Sequence, residues 1–245
     1  VMRDYEAEFE KRIAFIRSVL EQSGCGGIVY GNSGGKDSAL VGILCKAACD
    51  NTVGLILPCT TKRNYDEDAA DAEEVARRYH IETRTVDLTP VKEAERKALD
   101  GVTVLNEGAL GNLAPRIRML TLYAVAASEN RLVAGTGNRS EAYVGYFTKW
   151  GDGACDFNPI ADLTVTEIYE FLRYLDAPRR VQEKAPSAAL FDGQTDEGEM
   201  GVTYKALDAF LRGEELPDGQ RQRVEQLHRK SEHKRQGVIC YGKTE

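Results

Sequence analysis

Apolar side chains recur along the chain with two different periods. Phe9, Ile13, Ile16 and Leu20 follow one another at spacings of four, three and four among charged neighbours, which predicts an amphipathic helix over 5–21. Ile28-Val29-Tyr30 is a short apolar run ended by Gly31-Asn32-Ser33-Gly34-Gly35, and the apolar stretch over 39–48 reads as a buried helix. The unit then repeats, with a strand over 53–57, a helix over 66–79 and a strand over 81–88 in which Thr, Arg and Val alternate. A further helix opens near Pro115, a residue favoured in the first helical turn, and leads into a strand over 132–134. Past about residue 150 the strand signals fade. Thr164 and Glu167 form a capping box, opening a helix whose inner face carries Ile168, Phe171, Leu172 and Leu175.

Strands alternating with helices of this length predict an α/β fold, a doubly wound parallel sheet with helices on both faces, because parallel strands need helical crossovers. The C-terminal third is expected to be helix and loop. No repeat or Pro/Ser-rich linker divides the chain, so a single domain over 1–245 is expected, with a core over about 22–165 and a helical part over about 166–245.

Composition narrows the function. The 245 residues are 42% hydrophobic and 29% charged, which is an ordinary globular balance, and the net charge of −7 provides no overall basic field for a nucleic-acid backbone. No apolar run reaches membrane-span length, and the first residues lack the apolar core of a signal peptide, so a cytoplasmic location with no membrane partner is expected. The six cysteines include no CxxC pair, and buried thiols are the expectation.

Two stretches carry chemistry. The first, Ser33-Gly34-Gly35-Lys36-Asp37-Ser38, lies between the first strand and its helix, where backbone N–H groups and the helix dipole favour an anion. The two glycines let the backbone approach phosphate oxygens, and Ser33 and Ser38 add hydroxyl donors. Asp37 beside a phosphate makes sense if a divalent cation lies between them, since Mg²⁺ takes carboxylate and phosphate oxygens together. The pattern is not GxxxxGK[ST], because Tyr30 and Asp37 stand where that motif needs glycine and a hydroxyl residue. The second stretch begins at Gly135-Thr136-Gly137-Asn138, after the last strand, where open α/β sheets bind ligands. Glu141 there could supply a second carboxylate to the same ion, and Lys149 and Asp156 could fix a charged, polyhydroxyl ligand.

The segment GNSGGKDS (Gly31 to Ser38) resembles the SGGxDS loop of the N-type ATP pyrophosphatases, which split ATP to AMP and pyrophosphate on an adenine nucleotide alpha hydrolase-like fold. A larger set of segments resembles the NAD synthetase family: GNLAPRIRMLTLY (Gly111 to Tyr123), GTGNRSE (Gly135 to Glu141), GYFTKWGDGACDFNPIADLT (Gly145 to Thr164), KAPSAALFDGQTDEGEMG (Lys184 to Gly201) and SEHKR (Ser231 to Arg235). The resemblance implies an ammonia-dependent ligase that converts ATP, deamido-NAD and ammonia to AMP, pyrophosphate and NAD through an acyl-adenylate. Carried over by position, Gly31, Asn32, Ser33, Gly34, Gly35, Lys36, Asp37 and Ser38 hold the ATP phosphates, and Thr136 and Ser187 also contact ATP. Asp37 and Glu141 bind Mg²⁺. Arg116, Lys149, Asp156, His233 and Lys234 bind deamido-NAD, and the catalytic roles fall to Asp37, Glu141 and Lys149. A homodimer with no nucleic-acid partner is implied, with the dinucleotide near the subunit interface.

Three positions depart from the family pattern. Val165 stands where a lysine often contacts ATP phosphates, Pro115 replaces an alanine, and Lys36 replaces an apolar or amide residue. Lys36 is accordingly expected to substitute for the missing lysine. The alternative is that Lys36 points to solvent and Lys184 or nearby arginines supply the charge. Two other functions fit the loop: a tRNA-modifying ATP pyrophosphatase, and a non-catalytic adenine-nucleotide sensor, which retention of both carboxylates opposes.

Overall fold

The computed structural model describes residues 3–59, 67–186 and 195–242. Four parallel strands, β1 (Gly27–Gly31), β2 (Thr52–Ile56), β3 (Glu82–Thr85) and β4 (Arg131–Ala134), lie in the order β3-β2-β1-β4. Helix α1 (Tyr5–Ser23) precedes β1, and α2 (Lys36–Ala48), α3 (Ala69–Arg78) and the pair α4 (Thr89–Ala98) and α5 (Glu107–Glu129) make the successive crossovers. The chain steps outward from β1 to β2 and β3, then returns to place β4 on the other side of β1. That reversal leaves a crevice between the carboxyl ends of β1 and β4, where doubly wound sheets hold ligands.

Alternation along the strands builds two core layers, since successive side chains point to opposite faces of a sheet. Ile28 and Tyr30 of β1 pack on one face with Ile16 of α1 and Leu40 and Leu44 of α2. They meet there Ile168 and Phe171 of α7 (Val165–Tyr174). Val29 points the other way, joining Val53 and Leu55 of β2, Val133 of β4, and Ala114, Ile117 and Ala126 of α5. Each fully buried aliphatic side chain contributes about 1.5–3 kcal/mol of transfer free energy. The capping box at Thr164 forms as expected, with the Thr164 side chain taking the Glu167 N–H and the Glu167 carboxylate the Thr164 N–H.

Beyond β4 come α6 (Arg139–Val144) and, after α7, α8 (Arg179–Glu183), α9 (Asp196–Met200), α10 (Tyr204–Leu211), α11 (Asp218–Lys230) and α12 (Glu232–Arg235), so the last third is helix and loop. Val144, Val165, Met200, Val202, Tyr204, Leu207 and Val224 form a third buried cluster among these helices.

Three local expectations need correction. The helix read as opening near Pro115 starts at Glu107, where the Asn106 side chain accepts the Ala109 N–H, and it runs through the proline. Proline tolerates the first turn because its missing N–H is unused there, yet here it is buried in the helix interior. The strand expected over 81–88 is assigned only over Glu82–Thr85, although Val86 and Leu88 still donate to Ile56 O and Pro58 O. Helix α4 is not among the elements expected from the sequence; its apolar positions Val91, Ala94 and Ala98 have helical spacing but stay exposed. The helix expected over 66–79 is seen as Ala69–Arg78, with residue 66 outside the described residues.

Candidate active site

Strand β1 ends at Gly31, and the next residues turn directly into α2. Gly34 adopts a left-handed φ of +73°, and a Cβ there would lie 2.1 Å from Asp68 O, so the loop passes against the chain before α3 where no side chain fits. Gly35 caps α2 with extended backbone and no side-chain hydrogen bond, leaving the first amides of the helix as anion donors. Ser38 Oγ lies 3.1 Å from both Ser33 Oγ and Gly35 O. From the far side Lys184 holds this loop, its ammonium 2.7 Å from Asp68 Oδ1, 2.6 Å from Asp71 Oδ2 and 3.5 Å from Gly34 O. Arg180 takes the other oxygen of Asp71 at 2.6 Å. Lys184 is therefore committed to bracing the loop.

The neighbouring strand contributes Gly135-Thr136-Gly137 and then α6, which opens with a second capping box: the Asn138 side chain accepts the Glu141 N–H at 2.9 Å, and Glu141 Oε2 accepts the Asn138 N–H at 3.3 Å. Asn138 is fully buried, and its amide nitrogen donates to Asp37 Oδ1 at 3.1 Å. One asparagine thereby ties the carboxylate of α2 to that of α6. The two carboxylates converge on a single cation, the Lys36 ammonium, which is 2.8 Å from Asp37 Oδ2 and 3.8 Å from Glu141 Oε1. Burial, and after it the Asp37 charge, push the Glu141 carboxyl up, against the lowering influence of Lys36 and the Asn138 N–H. Lys36 is held protonated: burial opposes its charge, but the two carboxylates outweigh it.

These groups open onto a cavity of about 990 Å³. It is lined by Gly31, Asn32, Ser33, Gly35, Lys36, Asp37 and Ser38 from the first stretch and by Thr136 and Glu141 from the second. Gly34 touches this site through its fold rather than its surface. The volume lies at the upper end of the range for small-molecule sites.

Of the residues expected to bind the dinucleotide, only Lys234 lines this cavity; its ammonium donates to Gly145 O at 2.8 Å and Phe147 O at 2.7 Å. Lys149, whose ammonium donates to His233 O at 2.5 Å, and Arg116, which donates to Lys149 O at 3.3 Å, form an exposed basic rim with His233 beside it. Asp156 lies elsewhere. Its carboxylate accepts the Val133 N–H at 2.7 Å and the Tyr123 hydroxyl at 3.1 Å, closing the outer edge of β4. Ser187 lies outside the described residues.

Lys36 lines the cavity together with the phosphate-loop residues, as a lysine expected to reach ATP phosphates should. Val165 is buried in the third cluster, away from the cavity lining, and the alternative in which Lys36 points to solvent does not hold, since Lys36 is only 6% exposed. Sequence reasoning also passed over Asn138, Asp152, Arg118 and Asp196. Asp152 and Arg118 line the cavity within the matched segments, Asp152 accepting the Thr148 N–H at 2.9 Å and Arg118 donating to Leu57 O at 3.0 Å. Asn138 carried one signal, an asparagine three residues before a glutamate at a helix start.

The donor set fits a small divalent cation. Among the described residues no group of three or more His, Cys, Asp or Glu side chains is arranged around a metal, so Asp37 and Glu141 would leave further positions to phosphate and water. That is how Mg²⁺ is usually held.

A sequence model described as NAD synthase matches residues 8–238. An NH(3)-dependent NAD(+) synthetase of Carboxydothermus hydrogenoformans is 44% identical over 239 residues, covering 95% of this chain and 96% of that protein. Among solved structures, NMN synthetase from Francisella tularensis superposes with a TM-score of 0.93 at 36% identity, covering 98% and 99% of the two chains. The NH3-dependent NAD synthetase from Campylobacter jejuni does so with 0.80 at 32%, covering 97% and 99%.

Proposed function

The chain belongs to the NAD synthase family, ligases that form a C–N bond, and from that premise we propose that it amidates deamido-NAD with ammonia at the expense of ATP, releasing NAD, AMP and pyrophosphate. The observation that carries this reading is the convergence of Asp37 and Glu141 on one cation position beside a helix N-terminus, at the crevice between β1 and β4.

A carboxylate is a poor acyl donor because its leaving group would be oxide. The nicotinate carboxylate therefore attacks the α-phosphorus of ATP, giving an acyl-adenylate and pyrophosphate, and ammonia then displaces AMP. In the first step charge builds on the pyrophosphate oxygens, where the opening amides of α2 and the Ser33 and Ser38 hydroxyls can receive it. Asp37 and Glu141 would hold Mg²⁺, which when bound offsets the charge of the triphosphate. Asn138 keeps both carboxylates in place, and no protein nucleophile is required. The basic rim of Arg116, Lys149 and His233 and the ammonium of Lys234 suit a ligand carrying its own phosphates, and its exposure suits a site completed by a second subunit of a homodimer. A cytoplasmic location agrees with the finding that no helix among the described residues is long and apolar enough to cross a membrane.

The test is pyrophosphate release with ATP, Mg²⁺ and ammonium, with and without deamido-NAD. Release that depends on the dinucleotide supports the reading; release stimulated by tRNA instead, or none at all, overturns it. Glutamine free of ammonia should not support the reaction. A second reading is favoured by the higher TM-score to the Francisella NMN synthetase than to the Campylobacter enzyme: the acceptor would be the mononucleotide whose amide is NMN. The kcat/KM ratio for the two acids decides between them.

A further inference from the structure

Lys36 opens α2, and its side chain is almost wholly enclosed. The ammonium donates to Asp37 Oδ2 at 2.8 Å, stands 3.8 Å from Glu141 Oε1, and lies 5.6 Å from the centre of the Tyr204 ring. The protein thus brings its own cation to the two carboxylates that also suit a divalent ion.

An ammonium there and a divalent ion on the same two carboxylates repel each other strongly, because all three side chains are largely buried. What happens to the ammonium then decides how readily the metal enters. With the cavity empty of phosphate, a displaced Lys36 has lost both of its anionic partners while still enclosed, which is costly. With a polyphosphate in the loop, the same ammonium meets new negative oxygens. The two ligands are then coupled: each raises the affinity of the other by the same factor.

We propose that Lys36 is a built-in counter-ion that occupies the cation position between Asp37 and Glu141 while the phosphate loop is empty, so that the divalent metal enters with the nucleotide rather than ahead of it. The inference rests on Asp37 and Glu141 being the metal-holding pair. It assigns Lys36 a positioning role, setting the order and cooperativity of loading.

The experiment measures Mn²⁺ binding to the full chain by electron paramagnetic resonance, with and without a non-hydrolysable ATP analogue and corrected for Mn²⁺ held by the analogue alone. Without nucleotide, Lys36→Gln should bind Mn²⁺ at least tenfold more tightly than the wild type, and Lys36→Arg, which keeps the charge, should stay weak. The analogue should tighten binding at least tenfold in the wild type and much less in Lys36→Gln. Thermal unfolding gives an independent readout: without nucleotide, Mg²⁺ should raise the Tm of Lys36→Gln and leave that of the wild type nearly unchanged. Equal Mn²⁺ affinities for wild type and Lys36→Gln overturn the proposal. Should Lys36→Gln fail to fold, nucleotide-free wild type decides alone: Mn²⁺ bound as tightly as in the presence of the analogue overturns the proposal, and tightening of tenfold or more by the analogue supports it. Absence of Mn²⁺ uptake by every form, analogue present, overturns the metal assignment itself and this inference with it.

Discussion

Asn138 does two jobs with one amide, accepting the Glu141 N–H as a helix cap and donating to Asp37 Oδ1. The two can be separated. Asn138→Ser keeps a capping oxygen and loses the donor to Asp37, so stability should fall by less than about 1 kcal/mol while turnover drops clearly; Asn138→Ala should lose turnover and a further ~1 kcal/mol or more of stability. Urea unfolding and steady-state kinetics on both variants check this. A second residue-scale prediction concerns Arg12, a buried guanidinium that donates to Pro159 O at 2.5 Å, to Asp162 Oδ1 at 2.7 Å and to Glu8 Oε2 at 2.8 Å. Burial pushes the Asp162 carboxyl up, but its hydrogen bonds to Arg12 and the charges of Arg12 and Arg3 outweigh this and hold it below the ordinary carboxylate range. A depressed pKa contributes stability that is present above the unfolded-state value of about 4 and is lost as pH falls through the lower folded value. Arg12→Met should therefore lower stability at neutral pH by about 1–3 kcal/mol and flatten its decline with acid below about pH 4, as read from chemical denaturation across pH.

At the scale of elements, α5 carries the least orthodox feature. Pro115 interrupts the hydrogen-bond ladder of a helix that covers β1 and β4, and it packs closely enough that a Cβ on Gly151 would lie 3.0 Å from its own Cβ. An interior proline costs up to about 3 kcal/mol relative to alanine, and removing its buried ring returns part of that as lost packing. Pro115→Ala is expected to stabilise the protein by about 1 kcal/mol, seen as a rise in Tm. A fall would mean that the packing against the Gly151 segment outweighs the restored helix bond. The phosphate loop is braced across elements in the same way, by Lys184 reaching the residues before and within α3.

For the whole molecule, the proposed function depends on two chain segments about a hundred residues apart meeting at the reversal between β1 and β4. Asp37→Asn and Glu141→Gln should each lower turnover strongly, with the double variant costing far less than the sum of the two, because groups sharing one ion act as a unit. Additive losses in free energy, measured across a Mg²⁺ titration, would separate the two carboxylates.

Local order was legible wherever one short-range rule decided the outcome. The period of Phe9, Ile13, Ile16 and Leu20 marked α1, the apolar run before Gly31 marked β1, and Thr164 with Glu167 marked the start of α7, because amphipathic burial and capping act within a few residues. The loop at Ser33 to Ser38 and the carboxylates Asp37 and Glu141 were legible for the same reason: glycine, hydroxyl and acid at a strand end have few other uses. The sequence alone left the direction of Lys36 open, read Pro115 as a first-turn residue, and said nothing of what Asp156 bonds within the fold. Only tertiary structure decided these. A long, flexible lysine goes where distant carboxylates gather; a proline is carried inside a helix when the burial of the whole helix against β1 and β4 offsets one lost bond; and an aspartate beside the outer edge of β4 is taken by the Val133 N–H that would otherwise stay unsatisfied.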